Sequence, residues 1–208
     1  MKKSKRIKKS NSWRIKQHRD QFFKKSKTLG YRSRAPFKLL EINKKYKFIN
    51  NKTNLLDIGS SPGSWSQVAS QIISVGKVMS IDIKDMEPLK NVKFLKGNIL
   101  DEKIKNEVIK YFMNNLDVVI SEMAANTTGN KTLDSIRTNQ LCAEVINFSK
   151  KTLKPKGVLV SKIFMGEDFI EVKNLAKSVF KKVNFFKPES SRKESKETYL
   201  HCEILKSL

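Results

Sequence analysis

Two short segments of this 208-residue chain hold residue types that could do chemistry together. The first, LLDIGSSPGSWSQ, runs Leu55 and Leu56 into Asp57, then Gly59, then a Pro62-Gly63 turn and a helix-length segment. The second, KVMSIDI, brings Asp82 into play 23 residues beyond Gly59. A strand, a glycine turn, a helix and an acid at the end of the next strand is the plan of a nucleotide-type cofactor site, because ligands bind where parallel strands end. Asp82 then stands where a carboxylate accepts from ribose hydroxyls. Glycine at 59 and 63 lets the backbone approach the bound molecule closely.

The same turn narrows the choice of cofactor. GSSPG is not GxGxxG, and Pro62 has no N–H to offer a pyrophosphate, which argues against a nicotinamide dehydrogenase. A phosphate-free nucleoside fits better, and S-adenosylmethionine is one: adenosine carrying a sulfonium and an amino acid. An ordinary tight strand-to-helix turn would read in the same way, so the rest of the chain must decide. A metal site or a disulfide framework is unsupported. Cys142 and Cys202 are far apart, His18 and His201 are the two histidines, and no zinc-ligand spacing is present.

Positioning these residues requires a sheet. After Asn50 the chain alternates short β-rich runs with segments of helical periodicity. The runs are TNLLDIG, KVMSIDI, NVKFL, LDVVIS, GVLVSKIF, KVNFF and ETYLHCEIL; the helical segments are SWSQVASQII, DEKIKNEVIKYFM, TNQLCAEVINFSKKTL and DFIEVKNLAKSVF. That alternation predicts a parallel sheet with helices on both faces. KPKG, after the third helical segment, reads as a helix stop. Only a charged loop separates the last two strands, so they should pair as an antiparallel hairpin. Before the first strand, residues 13–27 carry Trp13, Ile15, Phe22 and Phe23 at roughly helical spacing. A second amphipathic helix enters at Pro36 in RSRAPFKLLEINKKYKFI. Residues 1–12, MKKSKRIKKSNS, have almost nothing to bury, so disorder is the default reading and a phosphate-seeking arm the functional one. The expectation is one domain over 13–208 with a helical extension over 13–48.

Lys and Arg number 43 against 20 Asp and Glu, a net charge of +23, which points to a polyanion, most often nucleic acid. The chain is lysine-rich throughout, so part of that charge could equally be solvated surface. No run of ~18 apolar residues suggests a membrane span, and the basic N-terminus has no apolar segment after it to make a signal peptide. A cytosolic monomer is expected.

RSRAPFKLLEI, LLDIGSSPGSWSQVA, VVISEMAANTTG, KIFMGEDF and KPESSRKESKETYL, in this order and spacing, resemble the FtsJ/RrmJ family of RNA ribose 2′-O-methyltransferases. The similarity is greatest to the branch that acts on large-subunit ribosomal RNA. The resemblance implies a Rossmann-like S-adenosylmethionine-dependent methyltransferase: a seven-stranded, mostly parallel sheet, helices on both faces and a C-terminal antiparallel hairpin. It implies a substrate in the large ribosomal subunit or its late precursor, a uridine of the A-loop, and no metal. The family's Lys-Asp-Lys-Glu set around the target ribose falls on Lys38, Glu122, Lys162 and Glu197. Glu122 replaces the family's aspartate, and Ala125 replaces a nearby proline. Gly59, Gly63, Trp65, Asp82, Asn98 and Glu122 fall on cofactor positions, with Asn98 where the family has an acid near the adenine. An asparagine can still accept from the adenine amino group through its carbonyl. RNA contacts are expected at Arg32, Arg34, Lys38 and Arg192.

Methyl transfer from a sulfonium to a hydroxyl is an in-line displacement that needs alignment and proton removal. Lys162, at the end of a strand that faces the cofactor, is the candidate, either as base or as the group that orients and stabilises the oxygen. Without the resemblance, Lys38 would read as a helix-surface charge, Glu197 as a strand-edge charge and Trp65 as core. Two rivals remain: an RNA-binding assembly factor with decayed catalysis, and a transfer-RNA ribose methyltransferase of the same fold.

Overall fold

The computed structural model of the chain describes residues 20–207. The basic tail over 1–12 and the Trp13 and Ile15 part of the expected first helix lie outside the described residues. Within them, α1 (Gln21–Thr28) is capped by Asp20, whose Oδ1 accepts from the N–H of Phe22 at 3.0 Å and of Phe23 at 3.3 Å. Helix α2 (Pro36–Tyr46) opens on Pro36, where a missing N–H costs nothing, and stops at Lys47 in the left-handed region.

The sheet strands are β1 (Leu55–Ile58), β2 (Val78–Asp82), β3 (Val92–Lys96), β4 (Leu116–Ser121), β5 (Leu153–Phe164), β6 (Phe180–Phe186) and β7 (Glu197–Leu205). Helices α3 (Ser64–Ile72), α4 (Glu102–Phe112), α5 (Lys131–Thr152) and α6 (Phe169–Val179) connect them. The order across the sheet is β3-β2-β1-β4-β5-β7-β6. The first five strands are parallel, and β7 runs antiparallel to both β5 and β6. The mostly parallel sheet and terminal hairpin are therefore as expected, with β7 slotted inside the edge. The topology reverses between β1 and β4, and the cofactor-type turn leaves β1 at that point.

Each face of the sheet is covered. Leu39 and Ile42 of α2 and Trp65, Val68 and Ala69 of α3 bury against Val118, Ile120 and Val160. Ile104 and Val108 of α4, Val145 and Ile146 of α5 and Val172 of α6 bury against Leu56, Met79 and Val119 on the other face. Alternate residues of β4 thus serve opposite cores, as strand geometry demands. Each buried Val, Leu, Ile or Met side chain among these contributes about 1.5–3 kcal/mol.

Two boundaries depart from expectation. Asn130 caps α5 through bonds to Thr132 and Leu133, so the helix begins at Lys131, well before TNQLCAEV. It ends at Thr152, and KPKG lies inside β5, which begins at Leu153 rather than Gly157. A register shift against β4 between Leu116 and Val118 accommodates the proline there.

Candidate active site

Four elements deliver charged side chains to one point. Lys38 comes from α2, Glu122 from the residue after β4, Lys162 from β5 and Glu197 from the start of β7. Lys38 Nζ donates to Glu122 Oε1 at 2.8 Å and pairs with Glu197 Oε1 at 2.9 Å. Lys162 Nζ donates to the Glu122 carbonyl at 2.7 Å. Both lysines are only 8% exposed. Neither is a surface charge.

Tyr199 completes the cluster, and the sequence reading missed it. Its hydroxyl donates to Glu122 Oε1 at 2.9 Å. The signal was the antiparallel register: Tyr199 stands opposite Lys162 and two residues from Glu197, so all three share a face of the sheet.

Burial and charge act oppositely on the two lysines. Burial works to strip Lys38 of its proton, but Glu122 and Glu197 outweigh it and hold Lys38 above the ordinary lysine range. For Lys162 burial wins: with the Lys38 charge adding to it, it overcomes the two glutamates and leaves Lys162 below that range. Burial also favours neutral Glu122, yet Lys38, Lys162 and the hydrogen bonds from Lys38 and Tyr199 hold it below the usual carboxylate range. The Tyr199 phenol is pushed up by burial and by the two carboxylates. The cluster therefore contains a fixed cation, Lys38, and a lysine inclined to neutrality, Lys162.

A cavity of about 310 Å³ opens beside this cluster and is lined by Gly59, Ser61, Asp82, Asn98, Glu122 and the apolar Ile83, Ile99 and Leu141, among others. Asp82 ties the turn together: Oδ2 accepts from Ser61 N–H and Oδ1 from Lys84 N–H, each at 2.8 Å, leaving further lone pairs. At Gly59, with φ +75°, a Cβ would run into the Met123 side chain. Gly63, with φ +108°, is not among the lining residues; a Cβ there would meet Arg32 and the Met86 sulfur. Trp65 is also away from the cavity: it is 2% exposed, donates to the Ala35 carbonyl at 2.9 Å and packs on Tyr199. It supports the cluster from behind.

Beneath the turn, Asp57 is buried, and Ser66 Oγ donates to its Oδ2 at 2.6 Å while contacting Ser80 Oγ at 2.6 Å. Burial raises its carboxyl to about 7, against the opposing Ser66 hydrogen bond.

A second cavity, about 180 Å³, is lined by Arg34, Lys38, Arg192, Ser195 and Glu197. Arg34 donates to the Asp20 carboxylate and to the Ser190 carbonyl. Arg192 lies 3.9 Å from the same Asp20 carboxylate and is 44% exposed at its side chain. Glu41 accepts from the N–H groups of Glu189 at 2.6 Å and Ser190 at 3.1 Å, so α2 fixes the loop that carries Arg192. Arg32 is engaged differently: its guanidinium donates to the carbonyls of Pro62, Glu87 and Pro88 at 2.9, 2.8 and 3.1 Å. It clamps the cofactor-type turn.

The arrangement can hold an elongated, partly apolar ligand in the first cavity and a polyanion at the second, with the lysine–glutamate cluster between. Residues 31–204 match the FtsJ-like methyltransferase family. The chain is 45% identical over 197 residues to the ribosomal RNA large subunit methyltransferase E of Pelagibacter ubique (strain HTCC1062), covering 95% of this chain and 97% of that protein. It is 42% identical over 202 residues to the protein of the same name from Rickettsia akari (strain Hartford), covering 94% and 89%. Among solved structures, a ribosomal RNA methyltransferase from Plasmodium falciparum superposes with a TM-score of 0.74 at 30% identity, over 84% of this chain and 98% of that one. Human methyltransferase-like protein 13, at 13% identity and a TM-score of 0.57 over 79% and 82%, shares the fold.

Proposed function

The chain belongs to the FtsJ-like methyltransferase family, and from that premise we propose that it moves the methyl group of S-adenosylmethionine to the 2′-hydroxyl of a ribose in large-subunit ribosomal RNA, a uridine of the A-loop, in the cytoplasm. The named relatives support the RNA class. The observation that carries the reaction type is the Lys38–Glu122–Lys162–Glu197 cluster lying between a nucleoside-sized cavity and an arginine-lined one.

The residues present suit the cofactor. Asp82 retains lone pairs for ribose hydroxyls, Ile83, Ile99 and Leu141 can cover a base, and the Glu122 carboxylate faces a ligand that carries positive charge. When bound, S-adenosylmethionine supplies a methyl group on a sulfonium. The chain must supply the rest.

A ribose hydroxyl is a poor nucleophile while it keeps its proton. Lys162 Nζ, held below the ordinary lysine range, takes that proton. Lys38 stays cationic between its two carboxylates and stabilises the charge that develops on the oxygen. Tyr199 and Lys38 together fix the Glu122 carboxylate at the junction of the two cavities. Arg34 and Arg192 make phosphate-type contacts, which position RNA without reading its sequence. Selection of one nucleotide then depends on RNA shape or on an extruded base.

The test is nucleotide-resolution mapping of 2′-O-methylation on large-subunit RNA from cells with and without this protein, alongside transfer of a labelled methyl group in vitro. Loss of one large-subunit site is expected. An unchanged pattern refutes the reading, a lost site in transfer RNA moves it to that substrate, and RNA binding without transfer marks an assembly factor.

A further inference from the structure

Ser121 faces Ser161 in the last β4–β5 pair, and β5 then runs on from Lys162 to Phe164 without a β4 partner. The backbone of Phe164 opens toward that empty side, since the next N–H, of Met165, bonds on the β7 side to the Lys196 carbonyl at 2.9 Å. Both polar groups of Phe164 find the amide of Asn139 on α5: Oδ1 accepts from the Phe164 N–H at 2.8 Å, and Nδ2 donates to the Phe164 carbonyl at 3.0 Å. One side chain stands where a further residue of β4 would.

Asn139 is fully buried, and Nδ2 also donates to Asp168 Oδ1 at 2.9 Å. Asp168 holds the N-cap position of α6 but makes no side-chain capping bond, although aspartate is among the residue types that cap best. Its carboxylate serves Asn139 instead. Thr138, the preceding residue, is buried too, and its Oγ1 accepts at 3.2 Å from the N–H of Ala125, which lies three residues beyond Glu122. Two consecutive residues of α5 therefore tie down the two segments that part at the end of the sheet, one carrying Glu122 and the other following Lys162. The contact across that parting is Lys162 Nζ to the Glu122 carbonyl at 2.7 Å. Neither Thr138 nor Asn139 is among the lining residues of either cavity at the site.

We propose that Thr138 and Asn139 are positioning residues for Lys162: by bracketing the ends of β4 and β5 from α5, they keep its Nζ seated on the Glu122 carbonyl. This rests on the role of Lys162 argued above. A misplacement of ~1 Å at a reacting centre costs on the order of 100-fold in rate, so a bracket outside both cavities acts on turnover rather than on binding. The groups that face Lys162 are Lys38 from α2, Glu122 after β4, and Glu197 and Tyr199 from β7. Loosening the bracket admits water to Nζ and weakens the burial that holds Lys162 below the ordinary lysine range. The pH–rate midpoint then moves up.

Steady-state kinetics and pH–rate profiles of full-length wild type, Asn139→Leu and Thr138→Val test this, with labelled S-adenosylmethionine and large-subunit RNA, well below each unfolding temperature. Asn139→Leu fills about the same space without the three bonds, and Thr138→Val removes one acceptor. Asn139→Leu should lower kcat at least about tenfold and Thr138→Val about threefold, each with the KM for cofactor within about twofold of wild type. The midpoint should rise in both, by about half a pH unit or more in Asn139→Leu. If Asn139→Leu does not fold, Thr138→Val decides alone. Turnover within about twofold of wild type, or a lower kcat with an unmoved midpoint, overturns the positioning role, however much thermal stability is lost. Either result beside an inactive Lys162→Ala sinks that role alone. No transfer by wild type, or near-normal turnover in Lys162→Ala, sinks the role of Lys162 and the bracket with it.

Discussion

Shortening Glu122 to aspartate tests the centre of the site, because one carboxylate oxygen there accepts from Lys38 at 2.8 Å and from Tyr199 at 2.9 Å. The substitution withdraws that oxygen by about one C–C bond, ~1.5 Å, which takes both contacts to about 4 Å and out of hydrogen-bond range. A displacement of ~1 Å at a reacting centre costs on the order of 100-fold in rate. The backbone has an independent adjustment nearby. Where the FtsJ/RrmJ pattern has proline, Ala125 N–H donates to Thr138 Oγ1 at 3.2 Å, a bond that proline has no N–H to make. Thr138 is 1% exposed, so Ala125→Pro should free the loop after β4 from α5 and cost about 1 kcal/mol of stability. If the longer side chain and the anchored loop are one adjustment, Glu122→Asp alone loses about 100-fold, and the double variant turns over at least about fivefold faster than the two single effects predict together. Turnover with methyl-labelled cofactor, paired with thermal unfolding of each variant, measures the coupling. Strict additivity sinks the compensation. Glu122→Gln should lose most activity, and wild-type turnover in that variant would mean the carboxylate is idle.

Lys162→Ala should abolish transfer while calorimetry still shows cofactor binding; near-normal turnover removes Lys162 from the mechanism. Because Lys162 must be neutral to take a proton, the rate should rise with pH through a midpoint below the ordinary lysine range, and Lys38→Met, by removing a charge that lowers Lys162, should move that midpoint upward. A pH–rate midpoint that stays fixed refutes the coupling. His201 is fully buried and stacks on Tyr46 at 3.8 Å, its ring nitrogens have no hydrogen-bond partner among the described residues, and burial lowers it to about 4. Its unfolded form takes up a proton near pH ~6.5, so its contribution to stability is full above that pH and falls by up to about 3 kcal/mol as pH drops toward 4. Asp57, raised to about 7, runs in the opposite sense over much of this window, so the comparison must be wild type against His201→Phe. Urea unfolding at pH 7 and pH 5 should show the variant gaining relative stability at pH 5; no gain refutes the assignment. Deleting residues 1–12 should flatten the salt dependence of RNA affinity, whose slope is about −0.7 to −0.9 per phosphate contact. An unchanged slope would mean that the arm contacts no phosphate.

The mostly parallel sheet and its terminal hairpin were legible because β-rich runs alternate with helical segments and only a charged loop parts the last two runs. The convergence of Lys38, Glu122, Lys162 and Glu197 was legible only through the resemblance to the FtsJ/RrmJ family, since by themselves Lys38 and Glu197 read as surface charges. Tyr199 was not, since its place opposite Lys162 depends on the β5–β7 register, which no local pattern encodes. Arg32 reads from sequence as one more basic residue near RNA. Its guanidinium instead meets Glu87 and Pro88, carbonyls supplied by a loop more than fifty residues away. KPKG reads as a stop because proline opposes both helix and central strand; the irregular β4–β5 pairing that tolerates it is visible only once β4 is in place. The early start of α5 had a local signal in Asn130, a residue type favoured at helix N-caps, which the apolar periodicity of the later turns outweighed.

An open sheet has two rims, here β3 and β6, each with one side of its backbone unmatched by another strand among the described residues. Lys93 and Lys96 on one rim and Lys181 and Lys182 on the other are exposed. A second copy of the chain that tried to extend the sheet would have to bring like charges together along either border, at a spacing where they repel. Part of the excess of lysine therefore opposes edge-to-edge joining of neighbouring molecules, a task independent of any RNA.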